Sequence, residues 1–303
     1  MKFTVYQSSR QGGRAYNQDR IAYSYSKEAL LAVVADGMGG HRHGEIAAQL
    51  AVATLTTAFE QQALPRLQDP SAFLREHLLQ VHDAIGNFAR ANTLIEAPRT
   101  TIVVVIMQDG KFYCAHAGDS RLYHFRSGKQ LYRTEDHSVV QMLYQRGQIT
   151  AEDIQHHPDR NKIYNCLGGE KAPVIEIGDA RKLRDGDTLL LCSDGLWSAM
   201  HDDGLTAALH AAPVTESLPR LLDMAEALNG QNGDNLSAIG LQWGDTSDDE
   251  PFAISTLNMG LDAATTILNP VASQQADSAH DLSDDDIERA IAEIQAALRK
   301  TQR

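Results

Sequence analysis

The sequence predicts an α+β domain with antiparallel sheets. Runs of strand-like sequence are interrupted by pairs of helical stretches, without the regular strand and helix alternation that marks a parallel sheet. The pairs Asp109-Gly110 and Ser127-Gly128 stand between apolar runs, as hairpin turns do. With 303 residues and 43% hydrophobic content, the chain can bury one sizeable core.

Helical periodicity marks two long neighbouring segments. Apolar residues recur at helical spacing over residues 44–62 and 71–92, which predicts two antiparallel helices joined by a proline-containing loop. Two further helices are predicted at 202–211 and 214–228. Strands are predicted at 3–7, 21–25, 30–35, 100–107, 111–117, 120–125, 130–133, 174–177, 188–193 and 236–243.

Charge and cysteine content exclude several classes of protein. A formal net charge of −13 disfavours nucleic acid as a partner, because such binding depends on clustered lysine and arginine. Cys114, Cys166 and Cys192 have no C-x-x-C spacing, which favours buried thiols over disulfides or zinc. No apolar run approaches the roughly 20 residues that span a bilayer, and the N-terminal residues lack a signal-peptide pattern. We expect a cytoplasmic protein without membrane insertion.

Acidic residues are concentrated near the C-terminus. Residues 245–303 hold 12 acidic and 4 basic residues, whereas residues 1–244 hold 28 and 23. Residues 245–282 are polar and without a sustained period, which predicts a flexible linker after a main domain over 1–244. Ser283 and three aspartates then open an amphipathic helix, predicted over 283–303. The apolar face of this helix needs a cover, from its own domain, a partner protein or a second copy.

Five short segments place an aspartate beside a glycine or a small polar residue where an apolar strand ends. They are Asn17-Gln18-Asp19, Asp36-Gly37-Met38-Gly39-Gly40-His41, Gly118-Asp119-Ser120-Arg121, Ser193-Asp194-Gly195 and Gly233-Asp234-Asn235. Asp-Gly is above all a turn signal, so each segment alone is weak evidence. As a set, they place several carboxylates at the rim of a sheet.

Carboxylates that converge in this way repel each other. At 4 Å and an effective dielectric of 20, each pair costs about 4 kcal/mol, which protonation or cations must relieve. An oxygen-only set without histidine or cysteine favours Mg²⁺ or Mn²⁺ over Zn²⁺. The sequence therefore predicts a divalent metal centre.

In their order along the chain, these segments resemble the PPM family, the PP2C-type metal-dependent protein phosphatases, in its bacterial single-domain form. The resemblance runs from about residue 3 to about residue 243 and also includes Arg14, Gly44-Glu45, Thr100-Thr101 and Trp197. It implies a β-sandwich of two antiparallel sheets flanked by paired antiparallel helices, with a metal site at one end. It also implies hydrolysis of phosphoserine and phosphothreonine with two, or three, Mn²⁺ or Mg²⁺ ions.

The same resemblance implies roles for individual residues. Arg14 matches the arginine that grips the substrate phosphate, a role that suits a planar guanidinium. The implied mechanism is direct attack on phosphorus by water that two ions activate, without a covalent phosphoenzyme. The implied metal ligands are Asp19, Asp36, Asp194, Asp234 and the Gly37 carbonyl, with Asp119 for a third ion. The residues assigned to catalysis are Arg14, Asp36, Asp194 and His41.

The sequence departs from the animal members of the family at two positions. Gln18 replaces a glutamate that contacts a metal through water, and Met38 replaces a histidine proposed as general acid. The proton donor therefore stays open. His41 is the nearest candidate in sequence, and a metal-bound water is the alternative.

Two other phosphate-handling classes are excluded by their motifs. Tyr113 precedes Cys114 where a cysteine phosphatase needs histidine. Gln130 follows Gly128-Lys129 where a P-loop needs serine or threonine.

A catalytically silent adaptor that recruits phosphoproteins remains as the alternative, although all the expected metal aspartates are present. The expected partners are phosphoprotein substrates, with a cognate serine/threonine kinase and its targets, or a small phosphorylated regulator. Residues 138–168 resemble the flap that borders the site in bacterial members.

Overall fold

Strands of two antiparallel sheets form the centre of the molecule. The computed structural model describes residues 1–38, 43–244 and 253–268, together with Ala292. The strands in these residues are β1 (Lys2–Arg10), β2 (Asp19–Ser26), β3 (Ala29–Met38), β4 (Arg99–Thr100), β5 (Ile102–Gln108), β6 (Lys111–Ala117), β7 (Arg121–Arg126), β8 (Lys129–Arg133), β9 (Leu167–Gly168), β10 (Glu176–Ile177), β11 (Arg181–Lys182), β12 (Thr188–Cys192), β13 (Leu236–Trp243), β14 (Ala253–Ser255) and β15 (Ala264–Leu268).

The helices cover the outer faces of these sheets. Asp69 caps α2 by accepting from the backbone N–H of Ala72 at 3.0 Å, and Pro70 takes the first helical position. No helix in the described ranges is both long and apolar enough to cross a lipid bilayer. The helices are α1 (Gly44–Gln62), α2 (Pro70–Ala91), α3 (Val139–Gln145), α4 (Asp194–Trp197), α5 (Asp202–Ala211) and α6 (Val214–Asn229), with 3-10 turns at Ile154–His156 and Gly230–Asn232.

The sheet order places strands from distant parts of the sequence side by side. Within the described residues, the first sheet has the order β14-β1-β13-β12-β7-β8. The second has the order β10-β6-β5-β3-β2-β15, with β11 beside β6 and the short strands β4 and β9 continuing from the end of β3. The predicted sandwich of two antiparallel sheets is confirmed.

Alternation along the central strands explains why they are apolar on both faces. Leu30 and Val34 of β3 point into the core between the sheets, whereas Leu31 and Val33 pack under α1 and α2. Strands of the first sheet likewise divide their side chains between the central core and the layer beneath α5 and α6. A sheet covered on both faces needs such continuous apolar runs.

The segment predicted as a linker contains two strands. β14 pairs with β1, and β15 pairs with β2 from Ala264 opposite Ser26 to Leu268 opposite Ala22. Between them, the buried Thr256 donates its hydroxyl to the Lys27 carbonyl at 2.6 Å. Residues 253–268 therefore extend both sheets beyond the predicted boundary at residue 244, and the prediction of a flexible linker is wrong for them. The predicted helix over 283–303 lies outside the described residues, apart from Ala292.

Candidate metal centre

Pairing of β2 with β3 brings the first two predicted ligands together. Asp19 opens β2 and lies directly opposite Asp36 near the end of β3. Gly37 follows, and a Cβ at this position would lie 2.3 Å from the backbone of Gly44 at the start of α1. Only glycine allows the end of β3 to approach the helix so closely.

The first sheet supplies two more carboxylates at the same end of the sandwich. Asp194 follows β12 and Asp234 precedes β13, and these neighbouring strands are antiparallel, so both residues lie at one edge. The hydroxyl of Ser193 donates to Asp19 Oδ2 at 2.8 Å and accepts from the backbone N–H of Ser237 at 3.0 Å. Ser193 thus links the Asp19 carboxylate of the second sheet to the backbone of β13 in the first sheet.

The fifth aspartate lies where the chain crosses from one sheet to the other. Asp119 stands between β6 of the second sheet and β7 of the first, and its carbonyl accepts from Trp197 Nε1 at 2.9 Å. The guanidinium of Arg121 stacks 3.6 Å from the centre of the Trp197 ring. Arg121 also donates to both oxygens of the buried Asp136, at 2.8 and 2.7 Å. The ion pair of Arg121 with Asp136 holds the guanidinium against the Trp197 ring, and that ring in turn holds the Asp119 carbonyl.

Four of the carboxylates, those of Asp19, Asp36, Asp119 and Asp194, resist ionisation. Burial, the largest cause, and neighbouring carboxylates raise the pKa of Asp19 to about 6 and that of Asp119 to about 7. Burial and the same neighbours hold the pKa of Asp36 and Asp194 well above the usual range. A divalent cation would offset this repulsion, because opposite charge favours the ionised carboxyl.

The oxygens of this cluster fit a metal ion. Asp19 Oδ1 and Asp194 Oδ1 are buried, and no donor in the described part of the chain reaches either of them. A buried carboxylate oxygen without a donor is costly unless a cation coordinates it. The donor set consists of oxygen atoms, which suits Mg²⁺ or Mn²⁺.

Arg14 lies at the entrance of the cluster. Its Nη2 donates to Asp234 Oδ2 at 2.6 Å, and its side chain is 57% exposed. Asn235 anchors the loop that carries Arg14 by donating to the carbonyls of Gln11 and Tyr16, at 2.8 and 3.1 Å. The guanidinium therefore faces solvent beside the carboxylates.

The structure brings the five predicted aspartates and Gly37 to one end of the sandwich, and their roles as ligands stay a prediction. His41 lies outside the described residues. The sequence analysis assigned no role to Ser193, Asp136 or Asn235. Ser193 carried a usable signal, since it is a polar residue closing an apolar strand directly before Asp194.

Comparison with known proteins identifies the family. The family model described as Protein phosphatase 2C matches residues 7–233. The chain belongs to the PP2C family of protein phosphatases.

Two curated bacterial relatives illustrate the match. The chain is 35% identical over 227 residues to the serine/threonine protein phosphatase PstP of Mycobacterium tuberculosis, covering 75% of this chain and 42% of that protein. It is 31% identical over 229 residues to the serine/threonine phosphatase stp of Listeria welshimeri, covering 75% of this chain and 90% of that protein. The chain thus spans less than half the length of the mycobacterial relative.

A solved structure of a relative shows the same fold. The catalytic domain of the PstP phosphatase in complex with two manganese ions superimposes with a TM-score of 0.68 at 31% identity, covering 80% of this chain and 99% of that domain. The predicted family and fold are confirmed.

Proposed function

We propose that this protein removes phosphate from phosphoserine and phosphothreonine in proteins, using metal ions held by Asp19, Asp36, Asp194 and Asp234. The observation that supports this proposal is the convergence of buried aspartates with two oxygens that no described donor reaches. When bound, the ions supply a Lewis acid that activates water as the nucleophile at neutral pH.

The residues around the proposed ions have separate roles in positioning the ligands and the substrate phosphate. Asp36 lies opposite Asp19 and its carbonyl accepts from the Thr101 N–H at 2.8 Å, while Asp194 begins α4, so the backbones that carry both carboxylates are fixed before substrate arrives. Arg14 has five N–H donors, and one of them binds Asp234; within the described residues its exposed edge can hold two phosphate oxygens. Asp119 is proposed for a third ion.

The proposed substrates are phosphoproteins of a cognate serine/threonine kinase, in keeping with the names of the bacterial relatives. A small phosphorylated regulator would present the same chemical group. Peptides that carry phosphoserine or phosphothreonine are therefore the appropriate first probes.

The test is turnover of p-nitrophenyl phosphate and a phosphothreonine peptide with added Mn²⁺. Asp36→Ala or Asp234→Ala should remove at least about three orders of magnitude of activity, because a lost ligand removes the positioned nucleophile. Asp223→Ala is a matched control, since Asp223 also pairs with an arginine, at 2.7 Å from Arg10, but lies on α6. Full activity in excess EDTA would contradict the metal mechanism, and a wild type that binds Mn²⁺ without turnover would support the adaptor.

A further inference from the structure

A second cluster of potential ligands lies beside the metal centre. His116, His137 and Glu176 each place a nitrogen or oxygen atom within 4.8 Å of the others. The two imidazole rings stack with centres 4.6 Å apart and planes 11° apart. By distance alone the cluster suits a transition metal, and its hydrogen bonds decide whether it can bind one.

The hydrogen on His137 is on the wrong atom for a metal ligand. Its Nδ1 accepts from the backbone N–H of Gly118 at 3.1 Å and from Asn165 Nδ2 at 2.7 Å. The amide of Asn165 is oriented by Val174, whose N–H donates to Oδ1 at 2.9 Å and whose carbonyl accepts from Nδ2 at 2.8 Å. His137 Nε2 must therefore carry the hydrogen, and it donates to Glu176 at 3.2 Å.

His116 supports the ring of His137. Its Nε2 lies 2.7 Å from the Glu135 carbonyl, which can only accept, so this nitrogen is the donor. Burial lowers the pKa of His116, which keeps the ring neutral. The cluster thus consists of two stacked rings, each with a defined donor nitrogen.

His137 holds Gly118, the residue before Asp119, at two points. In addition to the ring contact, its backbone N–H donates to the Gly118 carbonyl at 2.9 Å. Gly118 has a φ of 116°, and a Cβ there would lie 2.6 Å from Thr101 Cβ. Gly118 is therefore confined between Thr101 and His137, and Asp119 is the next residue.

The same residue joins the two ends of the flap segment, residues 138–168. Its carbonyl accepts from the Tyr164 N–H at 3.0 Å, and its ring holds Asn165, while Ser138 forms a bridge with Ile163. His137 therefore contacts both the base of the flap segment, where its two ends meet, and Gly118, the residue that precedes Asp119.

We propose that His137 is a positioning residue that couples the base of the flap segment to Asp119. The inference rests on the proposed function, which assigns Asp119 to an ion. Because Nδ1 accepts from both the Gly118 N–H and Asn165, one ring holds both groups. The position of the Asp119 carboxylate is thereby fixed relative to the base of the flap segment. Without that acceptor, two buried donors lose their partner and the support of Asp119 loosens.

Two variants separate the acceptor from the rest of the ring. His137→Asn places an amide oxygen near the position of Nδ1, whereas His137→Gln places its amide near Nε2 and leaves Gly118 and Asn165 without an acceptor. Glu176→Gln is the control, because its carbonyl still accepts from Nε2. Electron paramagnetic resonance of free Mn²⁺ measures binding, phosphopeptide kinetics separate KM from kcat, and thermal melting confirms folding.

His137→Gln should weaken the lowest-affinity Mn²⁺ site by roughly tenfold and raise the KM for phosphopeptide, as the loss of residues that orient ligands does. His137→Asn and Glu176→Gln should stay close to wild type. Equal behaviour of the two His137 variants would overturn the proposal. So would a Zn²⁺ ion bound by wild type and lost in all three variants. Absence of phosphopeptide turnover in wild type would reject the phosphatase activity instead, and Mn²⁺ binding would still decide the role of His137.

Discussion

Arg14 donates a hydrogen bond to Asp234 beside the other carboxylates, and more than half of its side chain is exposed. If it binds phosphate, Arg14→Ala should raise the KM for phosphopeptide more than it lowers kcat, with kcat/KM falling roughly tenfold or more, the value of a charged hydrogen bond. The kcat/KM of Arg14→Lys should lie between those of wild type and Arg14→Ala, because lysine keeps the charge without the planar fork of the guanidinium. If Arg14→Ala leaves KM unchanged but lowers the affinity for Mn²⁺, the role of Arg14 is to hold Asp234 in position, and it does not bind phosphate.

Asp119 provides a test of electrostatics in the metal-free protein. Burial, the largest cause, raises its pKa from 3.8 to about 7. The folded protein therefore keeps a proton that the unfolded chain releases near pH 4, and stability falls as pH rises from about 4 to about 7. Asp119→Asn removes this titration, so its melting temperature relative to wild type should rise by a few degrees across that interval and then level off.

Thermal melting in EDTA from about pH 5 to about pH 8 measures this difference. The comparison with Asp119→Asn cancels the opposite contribution of buried histidines such as His77, whose pKa burial lowers. In excess Mn²⁺ the advantage of Asp119→Asn should vanish, since bound cation stabilises the ionised wild type. A difference that does not change with pH would contradict the buried, protonated carboxyl.

Much of the candidate site was predictable from single residues, because an ion of this kind needs carboxylates and each of the five aspartates lies at one end of an apolar strand, beside a glycine or a small polar residue. The supporting residues were not. Asp136 acts through Arg121 and Trp197, which lies about 60 positions further along, and His137 acts through Gly118 and Asn165. Such roles depend on neighbours that only the folded chain brings together.

Among the elements, those with local signals were predicted well. Asp109 and Gly110 have φ values of 54° and 65°, and they join β5 to β6 as the turn residues indicated. The strands β14 and β15 were missed because they are short, partly polar edge strands. Their partners β1 and β2 lie more than two hundred residues earlier in the chain, so no local pattern reports the pairing.

These two edge strands should stabilise the domain. Truncation after Gly244 removes eight paired positions and the Thr256 hydroxyl bond to Lys27, and it exposes the edge of β2. We expect the melting temperature to fall by several degrees, whereas truncation after Leu268 should leave it unchanged. Equal melting temperatures for the two truncated proteins would show that the strands add nothing to stability.

For the whole molecule, the metal centre depends on both sheets. Asp19 and Asp36 come from one sheet, and Asp194 and Asp234 flank strands of the other. The site exists only when the sandwich has closed, so bound ions should raise the stability of the complete domain rather than of either half.

The strand β15 points toward the end of the sandwich that carries the aspartates. It runs antiparallel to β2 and ends at Leu268 opposite Ala22, three positions from Asp19. The sequence beyond it includes the predicted amphipathic helix at 283–303, whose apolar face needs a cover from its own domain, a partner protein or a second copy. We predict that this segment recruits a cognate kinase or phosphoprotein and raises its local concentration beside the metal centre without taking part in the chemistry.

Truncation after Leu268 tests this recruitment, because it keeps β14 and β15 and removes the acidic tail. Turnover of p-nitrophenyl phosphate should match the full chain, since the small substrate needs no recruitment, while dephosphorylation of the native phosphoprotein at low concentration should slow. A full-length Ile291→Asp variant should show the same selective loss, because it places a charge on the predicted apolar face. If the truncated protein loses turnover of both substrates while melting normally, the tail acts on the catalytic domain itself and the recruitment hypothesis is wrong.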